Sequence, residues 1–362
     1  LFQKLSVNDQ VDILELFSEE KSQSVLDLLN AEKQEEVEEI MSYPVDSAAS
    51  IMTTDVFTLH QNIIAYEAIK ELQRQEKSEM VFYLYITDDD NRLTGVISLR
   101  DLVTTPPETS LIDIMTKNVV SVRPETDQEE VAKIVARYNY LAVPVVDMDD
   151  SMLGIITVDD VVDVIREEAT EDFLQMAGAG KDREILLKSS WENVKSRLPW
   201  LFASWVGGVL AAFIIGKFEH MLETTVALAA FIPVIIGMGG NVGTQSSTIV
   251  VRGIATGRVE AGGEVKLVFK ELRVGLILGI LYGILLGGFT LLPFVESPAS
   301  LGIIVGLSIC SSMLIASCVG TVVPLVLQKI DVDPAIATGP FVTTSIDILG
   351  VTLYFLIASI VS

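Results

Sequence analysis

Cysteine and histidine are scarce in this chain, which has two of each among its 362 residues. Cys310 and Cys318 lie in one apolar run, so on a single helix they would stand roughly 12 Å apart, beyond the reach of a disulfide. His60 and His220 have no Cys or His partner at the spacing of a zinc site. A GxxxxGK[ST] segment is also absent. The sequence therefore argues against a zinc site, a disulfide framework and ATP hydrolysis at a P-loop.

Basic side chains are few in the first half of the chain. Positions 1–180 hold 13 Lys and Arg against 37 Asp and Glu, whereas positions 181–362 hold 12 of each. The whole formal charge of −24 thus lies in the first half. Such a segment repels nucleic acid and anionic membrane surfaces and concentrates divalent cations. We therefore expect no nucleic-acid partner.

The sequence also lacks the polarity of a soluble protein, because 50% of its residues are hydrophobic and its mean hydropathy is +0.47. Its second half contains apolar stretches that are each near the roughly 20 residues needed to cross a bilayer core. We predict an all-α transmembrane domain over 198–362, in contact with membrane lipid. Its five helices are predicted at 198–216, 226–251, 274–295, 301–327 and 335–361.

The first 45 residues are acidic and carry apolar residues at helical spacing. Polar starts such as Asn30-Ala-Glu-Lys separate the apolar groups, which predicts short helices. Because the chain begins with Leu1, we expect residues 1–45 to be the C-terminal part of an α-helical N-domain.

Residues 46–168 contain an internal repeat, with copies at 46–108 and 109–168. A helical segment followed by an apolar strand occurs in each copy, which predicts two β-α-β-β-α units that pack sheet against sheet. The motif G-x-x-[ST]-x-x-D closes each copy, and the two occurrences are 59 residues apart. Its hydroxyl and carboxylate residues are Ser98, Asp101, Thr157 and Asp160.

This repeat resembles a tandem pair of cystathionine-β-synthase-type (CBS) domains, which have an α/β fold. In that family the Ser or Thr and the Asp bind the ribose of an adenosine nucleotide such as ATP. The resemblance implies a regulatory nucleotide site at Ser98, Asp101, Thr157 and Asp160, with Tyr140 as a platform for the adenine. A structural interpretation stays open, since the glycine permits a turn and the Asp caps the next helix.

Residues 169–197 join the acidic half to the first span. They combine charged side chains with apolar ones such as Phe173 and Trp191. We expect a connecting helix here, with a hinge at Gly178 and Gly180.

Basic residues predict the orientation in the membrane. They precede the first span and occupy the loops after the second and fourth spans, whereas the alternate loops carry only Lys217. The positive-inside rule then places the acidic half in the cytoplasm. With five spans, Ser362 faces outward. We expect a multi-pass protein of the cell (inner or plasma) membrane.

Polar residues interrupt two spans, where exposed backbone breaks and charges cost several kcal/mol. We interpret the glycine- and amide-rich segment around Asn241 and Gln245 as able to unwind, with close packing of small residues as the alternative. Asp347 is the single acid well inside a predicted span, and Thr343 and Thr344 share its helical face. An intramembrane carboxylate marks a functional site by default. A structural, hydrogen-bonded Asp is the alternative.

The ligand types in this stripe narrow the choice of ion. Oxygen ligands without Cys, His or Met favour hard cations. Mg²⁺ keeps its waters and is usually bound through one or two carboxylates, whereas Ca²⁺ prefers six to eight oxygens. One carboxylate with neighbouring hydroxyls therefore fits a hydrated Mg²⁺. A two-fold dimer would bring two Asp347 side chains to one axis.

The whole chain resembles the MgtE family of magnesium channels and transporters, in which an acidic N-domain, a CBS pair and a plug helix precede five spans. The segments that carry the resemblance are Pro233-Val-Ile-Ile-Gly-Met-Gly-Gly-Asn241-Val-Gly-Thr-Gln245-Ser, Val251-Arg252-Gly253-Ile-Ala-Thr, Asp333-Pro334-Ala335 and Pro340-Phe-Val-Thr-Thr-Ser-Ile-Asp347.

The resemblance implies a homodimer with its pore between the subunits and with Mg²⁺ as both substrate and regulator. Asp347 then binds hydrated Mg²⁺, Asp333 lies near the cytoplasmic mouth, and Asn241, Thr343 and Thr344 are further candidate ligands. Cytosolic Mg²⁺ bound among the N-domain, CBS and plug elements holds the pore shut. The positions that match the family's sensor acids are Asp127, Glu129, Asp160, Asp163, Glu168, Glu171 and Asp172.

Other functions stay open on the sequence alone. A transporter or exporter of Co²⁺, Mn²⁺ or Ca²⁺ would differ in the ion that crosses the membrane. A non-conducting membrane sensor that reports nucleotide through the CBS pair would not need Asp347. An enzyme is disfavoured, because no nucleophile–base pair or catalytic metal cluster is evident.

Overall fold

The computed structural model describes residues 2, 7–15, 17, 19–74, 82–180, 185, 188–259, 262–292 and 299–361. The chain divides into two compact units, Leu1–Glu168 and Ala169–Ser362.

The first unit begins with three short helices, as the apolar spacing predicts. They are α1 (Val7–Glu15), α2 (Glu19–Leu26) and α3 (Ala31–Met41). The side chain of Asn30 caps α3 by accepting a hydrogen bond from the N–H of Lys33, at 3.1 Å. Buried residues of these helices, such as Leu14 and Val37, share one hydrophobic core with Val131 and Val143 of the second repeat.

The predicted repeat is confirmed as two α/β units. The first contains α4 (Ala48–Ile51), β1 (Thr58–His60), α5 (Ala65–Arg74), β2 (Tyr83–Thr87), β3 (Leu93–Ser98) and α6 (Leu99–Thr104). The second contains α7 (Leu111–Ile114), α8 (Gln128–Tyr138), β4 (Ala142–Val146), β5 (Met152–Thr157) and the start of α9 (Val158–Met176).

The two copies differ at their first strand. In the first copy β1 pairs in parallel with β2, which pairs antiparallel with β3. In the second copy β4 and β5 pair antiparallel, and the place of the first strand is taken by a single bridge between Val122 and Val145. Tyr85, Val146, Met152 and Ile155 form a core shared by the two copies. The expected packing of sheet against sheet is therefore present.

The connecting segment is interrupted at the predicted hinge. The helix α9 runs without a break from the second repeat to Met176. Gly178 and Gly180 follow with φ of 68° and 95°, a conformation that glycine adopts without strain. The next helix, α10 (Ser190–Lys217), begins with a capping box at Ser189 and continues into the first apolar stretch.

The second unit contains five helices long and apolar enough to cross a membrane, within the ranges described above. They are α10, α12 (Ala227–Ala255), α13 (Glu264–Phe289), α14 (Ala299–Lys329) and α15 (Pro340–Val361). The short helix α11 (Glu219–Thr224) follows α10, and a 3₁₀ helix (Pro334–Ala337) precedes α15. The third span begins ten residues before its predicted start at 274, because the charged residues that lower its hydropathy are good helix formers.

Close backbone contact joins α13 to α14. Glycines recur every fourth residue on the buried face of α13. A Cβ atom at Gly283 would lie 2.6 Å from the carbonyl oxygen of Gly306, and one at Gly287 would lie 2.7 Å from that of Gly302. Only glycine permits this approach, which is the small-residue packing typical of membrane helices.

The expectation that the glycine- and amide-rich segment unwinds is wrong, since α12 is a continuous helix from Ala227 to Ala255. Its glycines are used for packing instead. Gly243 contacts the side chain of Ile346 on α15, and its carbonyl oxygen lies against Gly320 of α14. The alternative interpretation, close packing of small residues, therefore holds for this face of α12.

Candidate functional site

A line of polar side chains runs along the exposed face of α12. Asn241, Gln245 and Thr248 are exposed and recur at helical spacing, whereas Gly239 and Gly243 are buried on the other side. Among the described residues, none of the three polar side chains has a hydrogen-bond partner. Amides and hydroxyls facing lipid are costly, so this face requires a neighbour other than lipid.

Asp347 lies beside this line on α15. A Cβ atom at Gly240 of α12 would be 3.9 Å from its Oδ1 atom. The side chain is half-buried, and within the described part of the chain its carboxylate makes no hydrogen bond or ion pair. An unsatisfied carboxylate inside a membrane is costly unless it binds a ligand, water or another subunit.

The two threonines near Asp347 are placed differently from each other. The hydroxyl of Thr343 donates to the carbonyl groups of Gly339 and Pro340 in its own helix, at 3.3 and 3.2 Å. The side chain of Thr344 packs against Gly207 of α10. The structure thus brings Asn241 and Asp347 to one region of the α12–α15 pair, while Thr344 faces α10.

Asp333 lies at the start of the 3₁₀ helix that precedes α15. Its Oδ1 atom accepts a hydrogen bond from the N–H of Ala335, at 2.8 Å, and so caps this helix. Its Oδ2 atom accepts a second hydrogen bond, at 2.8 Å, from the side-chain amide of Gln175 near the end of α9. The same amide donates to Glu171 at 3.0 Å.

A buried acid on α13, Glu271, was missed by the sequence reasoning, because it precedes the predicted start of the third span at 274. Glu271 is 4% exposed on α13 and accepts a hydrogen bond from the hydroxyl of Ser246 on α12, at 3.1 Å. A signal was available, because the four-residue repeat of glycines that starts at Gly275 extends back to position 271.

In both G-x-x-[ST]-x-x-D motifs the hydroxyl donates to the carboxylate, but the backbone bond differs, because in the second motif the N–H of Thr157 donates to Asp160 at 3.3 Å. Ser98 donates to the carboxylate of Asp101 at 2.7 Å and caps α6 by accepting from the N–H of Asp101 at 3.1 Å. Thr157 likewise donates to the carboxylate of Asp160. Each motif is therefore a satisfied turn at a helix start, and its hydroxyl and carboxylate also lie together as a ribose site needs.

Tyr140 lies close to the second motif. The N–H of Val158 donates to the carbonyl oxygen of Leu141 at 2.9 Å. Thr157 and Tyr140 directly precede these two residues, so they lie on two segments that are hydrogen-bonded to each other. The ring of Tyr140 stacks on that of Tyr138, with 5.4 Å between centroids.

Burial changes the titration of one motif carboxylate. Desolvation raises the pKa of Asp160, and the hydrogen bonds from the side chain and backbone of Thr157 oppose part of that rise. Asp159 and Asp163 add a smaller rise through repulsion.

The predicted sensor acids are spread over the first turn of α8 and the length of α9. Asp127 caps α8 through the N–H of Glu129, at 2.8 Å, and Glu129 pairs with Lys133 at 2.9 Å. Asp163 pairs with Arg166 at 3.3 Å, and Glu168 accepts from Gln128 at 2.7 Å. Asp172 is half-buried further along α9.

Within the described ranges, no three Asp, Glu, His or Cys side chains come together in a group that could hold a metal ion. The acids predicted as cation ligands therefore do not form a closed protein cage in that part of a single chain. A cation bound there needs water or a second subunit to complete its coordination.

Comparison with known proteins agrees with the helices and the repeat. Residues 232–357 match the MgtE family of divalent cation transporters, residues 48–108 and 111–167 match CBS domains, and residues 1–46 match the MgtE intracellular N domain. The magnesium transporter MgtE of Bacillus subtilis is 37% identical over 98% of this chain and 78% of that protein. The magnesium transporter MgtE of Thermus thermophilus is 35% identical over 98% of this chain and 79% of that protein.

A solved cytosolic domain of the Mg²⁺ channel MgtE in complex with ATP is 38% identical, covers 45% of this chain and 67% of that chain, and has a TM-score of 0.43. Relatives with enzyme names, such as an inosine-5'-monophosphate dehydrogenase of Methanocaldococcus jannaschii, match about a third of the chain through the CBS domains (37% of the chain in that case).

The helices, the repeat and the family matches define a multi-span membrane protein with a CBS pair. The chain belongs to the MgtE family of magnesium transporters, which are not enzymes.

Proposed function

We propose that this protein is a Mg²⁺-selective channel whose pore lies at the two-fold axis of a homodimer. The observation that carries the proposal is the half-buried carboxylate of Asp347, which has no partner among the described residues and lies against Gly240, the neighbour in sequence of the exposed Asn241. Contact between this polar face and lipid is energetically unfavourable. A second copy of the chain that presents the same face would bury it in a two-fold interface.

The chemistry of this face suits a hydrated Mg²⁺ ion. Two Asp347 carboxylates, one from each subunit, would supply two negative charges, and the amides of Asn241 and Gln245 would bind the ion's water molecules. Mg²⁺ releases its waters reluctantly, so binding through water allows the ion to enter and leave. Asp333 and Thr343 precede Asp347 in the chain and are proposed to line the cytoplasmic approach, whereas Thr344 packs against Gly207 of α10 and is not proposed as a ligand.

The orientation is proposed from the basic residues. Lys329 at the end of α14 pairs with Glu264 at the start of α13, at 3.8 Å, so these two helix ends lie on the same side of the bundle. Arg252 lies in the last turn of α12 and Arg258 follows this helix, which ends on that side by the alternation of the spans. The positive-inside rule makes this side cytoplasmic, and the C-terminus then faces outward.

Gating is proposed to follow from the charge of the cytosolic half. Mg²⁺ bound at acids such as Asp127, Glu129, Asp160, Asp163, Glu168, Glu171 and Asp172 would relieve repulsion among acidic faces and favour a compact, closed arrangement. When Mg²⁺ falls, the acidic domains separate and the connecting segment releases the pore. An adenosine nucleotide such as ATP at Ser98, Asp101, Tyr140, Thr157 and Asp160 is proposed as a second regulator of the same arrangement.

The test is flux through purified protein in liposomes that contain a Mg²⁺-sensitive dye. Asp347→Asn removes the charge and is expected to reduce Mg²⁺ uptake at least tenfold, because an amide does not replace a carboxylate toward Mg²⁺. Ser345→Ala is the matched control on the same helix, since that hydroxyl bonds to the carbonyl of Phe341, at 2.8 Å, and to no other of the described residues.

Uptake that survives in Asp347→Asn would contradict the proposed pore. Parallel measurements with Co²⁺, Mn²⁺ and Ca²⁺ separate a Mg²⁺-selective channel from a general divalent-cation transporter. Absence of any flux in the wild type would favour a non-conducting sensor.

A further inference from the structure

The C-terminal end of α9 contacts the segment that leads into α15. The carbonyl oxygens of Met176 and Gln175 would lie 3.2 and 3.4 Å from a Cβ atom at Gly339. A Cβ atom at Gly178 would lie 3.1 Å from the Cδ atom of Pro340, the first residue of α15. The carbonyl end of one helix therefore meets the amide end of another, and the two helix dipoles attract each other.

Gln175 makes the polar contact at this junction. It is 0% exposed, and its Nε2 atom donates to both the Oδ2 atom of Asp333, at 2.8 Å, and the Oε1 atom of Glu171, at 3.0 Å. The two residues joined by the first bond are 158 positions apart in the chain. It is thus a tertiary contact between α9 and the 3₁₀ helix rather than a local feature of α9.

Both oxygens of the Asp333 carboxylate accept hydrogen bonds. Oδ1 accepts from Ala335 and Oδ2 accepts from Gln175, each at 2.8 Å. A cation that binds Oδ2 directly would compete with the amide of Gln175 for this oxygen. The Oε1 atom of Gln175 is itself buried without a hydrogen-bond partner among the described residues. A buried carbonyl without a hydrogen-bond partner lowers the free energy of unfolding, so this position of the Gln175 amide destabilises the fold.

We infer that Gln175 is a latch that closes the cytoplasmic entrance by occupying the carboxylate oxygen of Asp333 that an incoming cation would bind. This inference rests on the proposed function, because Asp333 serves as an entrance ligand only if Mg²⁺ passes this way. The closed state keeps the amide of Gln175 on Asp333 and the end of α9 on Gly339. Opening withdraws α9, which frees Oδ2 and uncovers the start of α15 in one movement.

The experiment combines hydrogen exchange with flux on the full chain. Gln175→Leu keeps most of the side-chain volume and removes both donated hydrogen bonds. At high Mg²⁺ we expect amide exchange in residues 171–180 to accelerate about tenfold, which corresponds to about 1.4 kcal/mol at 25 °C. Mg²⁺ uptake into liposomes under the same closing conditions should rise by a similar factor. Gln34→Leu is the control, because Gln34 makes an amide-to-carboxylate bond to Glu38, at 2.9 Å, on an exposed helix face.

Exchanging the amide and the carboxylate between positions 175 and 333 tests whether the hydrogen bond, rather than packing, holds this contact. Gln175→Glu alone places a carboxylate against Asp333 and Glu171 and should accelerate exchange more than Gln175→Leu. Adding Asp333→Asn returns one amide and one carboxylate to the contact and should slow exchange again.

Unchanged exchange in Gln175→Leu would overturn the latch, and so would faster exchange with unchanged or lower uptake. If the wild type carries no Mg²⁺ at all, the proposed function fails. The exchange measurements then decide separately whether Gln175 holds the end of α9.

Discussion

Two acids on the spanning helices, Glu271 and Asp347, differ in burial and in hydrogen bonding. Glu271 is 4% exposed, lies among α12, α13 and α14, and accepts a hydrogen bond from Ser246. Asp347 is half-buried at the edge of the bundle and has no hydrogen-bond partner among the described residues. A buried acid that is hydrogen-bonded within its own chain stabilises helix packing. An acid without such a partner is available to bind a ligand.

The largest expected effect separates stability from function at Asp347. Asp347→Leu should abolish Mg²⁺ flux, while the melting temperature in detergent stays the same or rises, because the change removes an unsatisfied carboxylate and breaks no hydrogen bond. Flux assays and thermal unfolding of one preparation check both halves. A large loss of stability would show that Asp347 is a structural residue and would remove the contrast with Glu271.

Glu271 should show the opposite behaviour. Glu271→Ala leaves the hydroxyl of Ser246 unpaired and opens a cavity, so we expect a loss of about 1–3 kcal/mol in the free energy of unfolding. Glu271→Gln keeps an acceptor for Ser246 and removes a buried charge, so it should be at least as stable as the wild type. Equal destabilisation by both variants would mean that the charge of Glu271 itself is required.

The two faces of α12 extend the same comparison. Gly243→Val would collide with Ile346 and the backbone of α14, and overpacking of this kind costs about 1–3 kcal/mol. Gln245→Leu changes an exposed side chain and should leave the melting temperature nearly unchanged, but reduce Mg²⁺ flux. Thermal unfolding and flux on both variants test this, and a stable Gly243→Val would show that the helices can separate at this point.

The smallest expected effect lies in the soluble half, at Asp160. Burial raises its pKa above the usual value of 3.8, so the unfolded chain releases this proton at lower pH than the folded chain does. The stabilising contribution is complete below the unfolded pKa and is lost as the pH rises through the folded pKa. The melting temperature of the wild type relative to Asp160→Asn should therefore fall as the pH rises above the usual pKa of 3.8. Asp101→Asn is the matched variant in the first repeat, and a pH-independent difference for Asp160→Asn would contradict the expectation.

Patterns within one element were predictable from the sequence. The repeat, the helix start at Asn30 and the apolar spans all follow from local spacing, which each element satisfies without its neighbours. Asp347 could be singled out for the same reason, since one carboxylate in an apolar helix is visible without any partner.

Contacts between distant elements were not predictable. Nothing near Gln175 in the sequence indicates a bond to Asp333, and the charged start of α13 concealed Glu271 because hydropathy averages over neighbours rather than over faces. The glycines around Asn241 were misjudged for a related reason. Their packing partners, such as Ile346 and Gly320, come from other helices, and without them a glycine-rich helix looks unstable.

The glycines that join α13 to α14 limit how the membrane helices can move. Because the two backbones touch near Gly283 and Gly306, neither helix can slide or turn past the other without a collision between main-chain atoms. The two helices therefore move as one rigid unit. Any widening or narrowing of a passage would then fall to the other helices of the bundle.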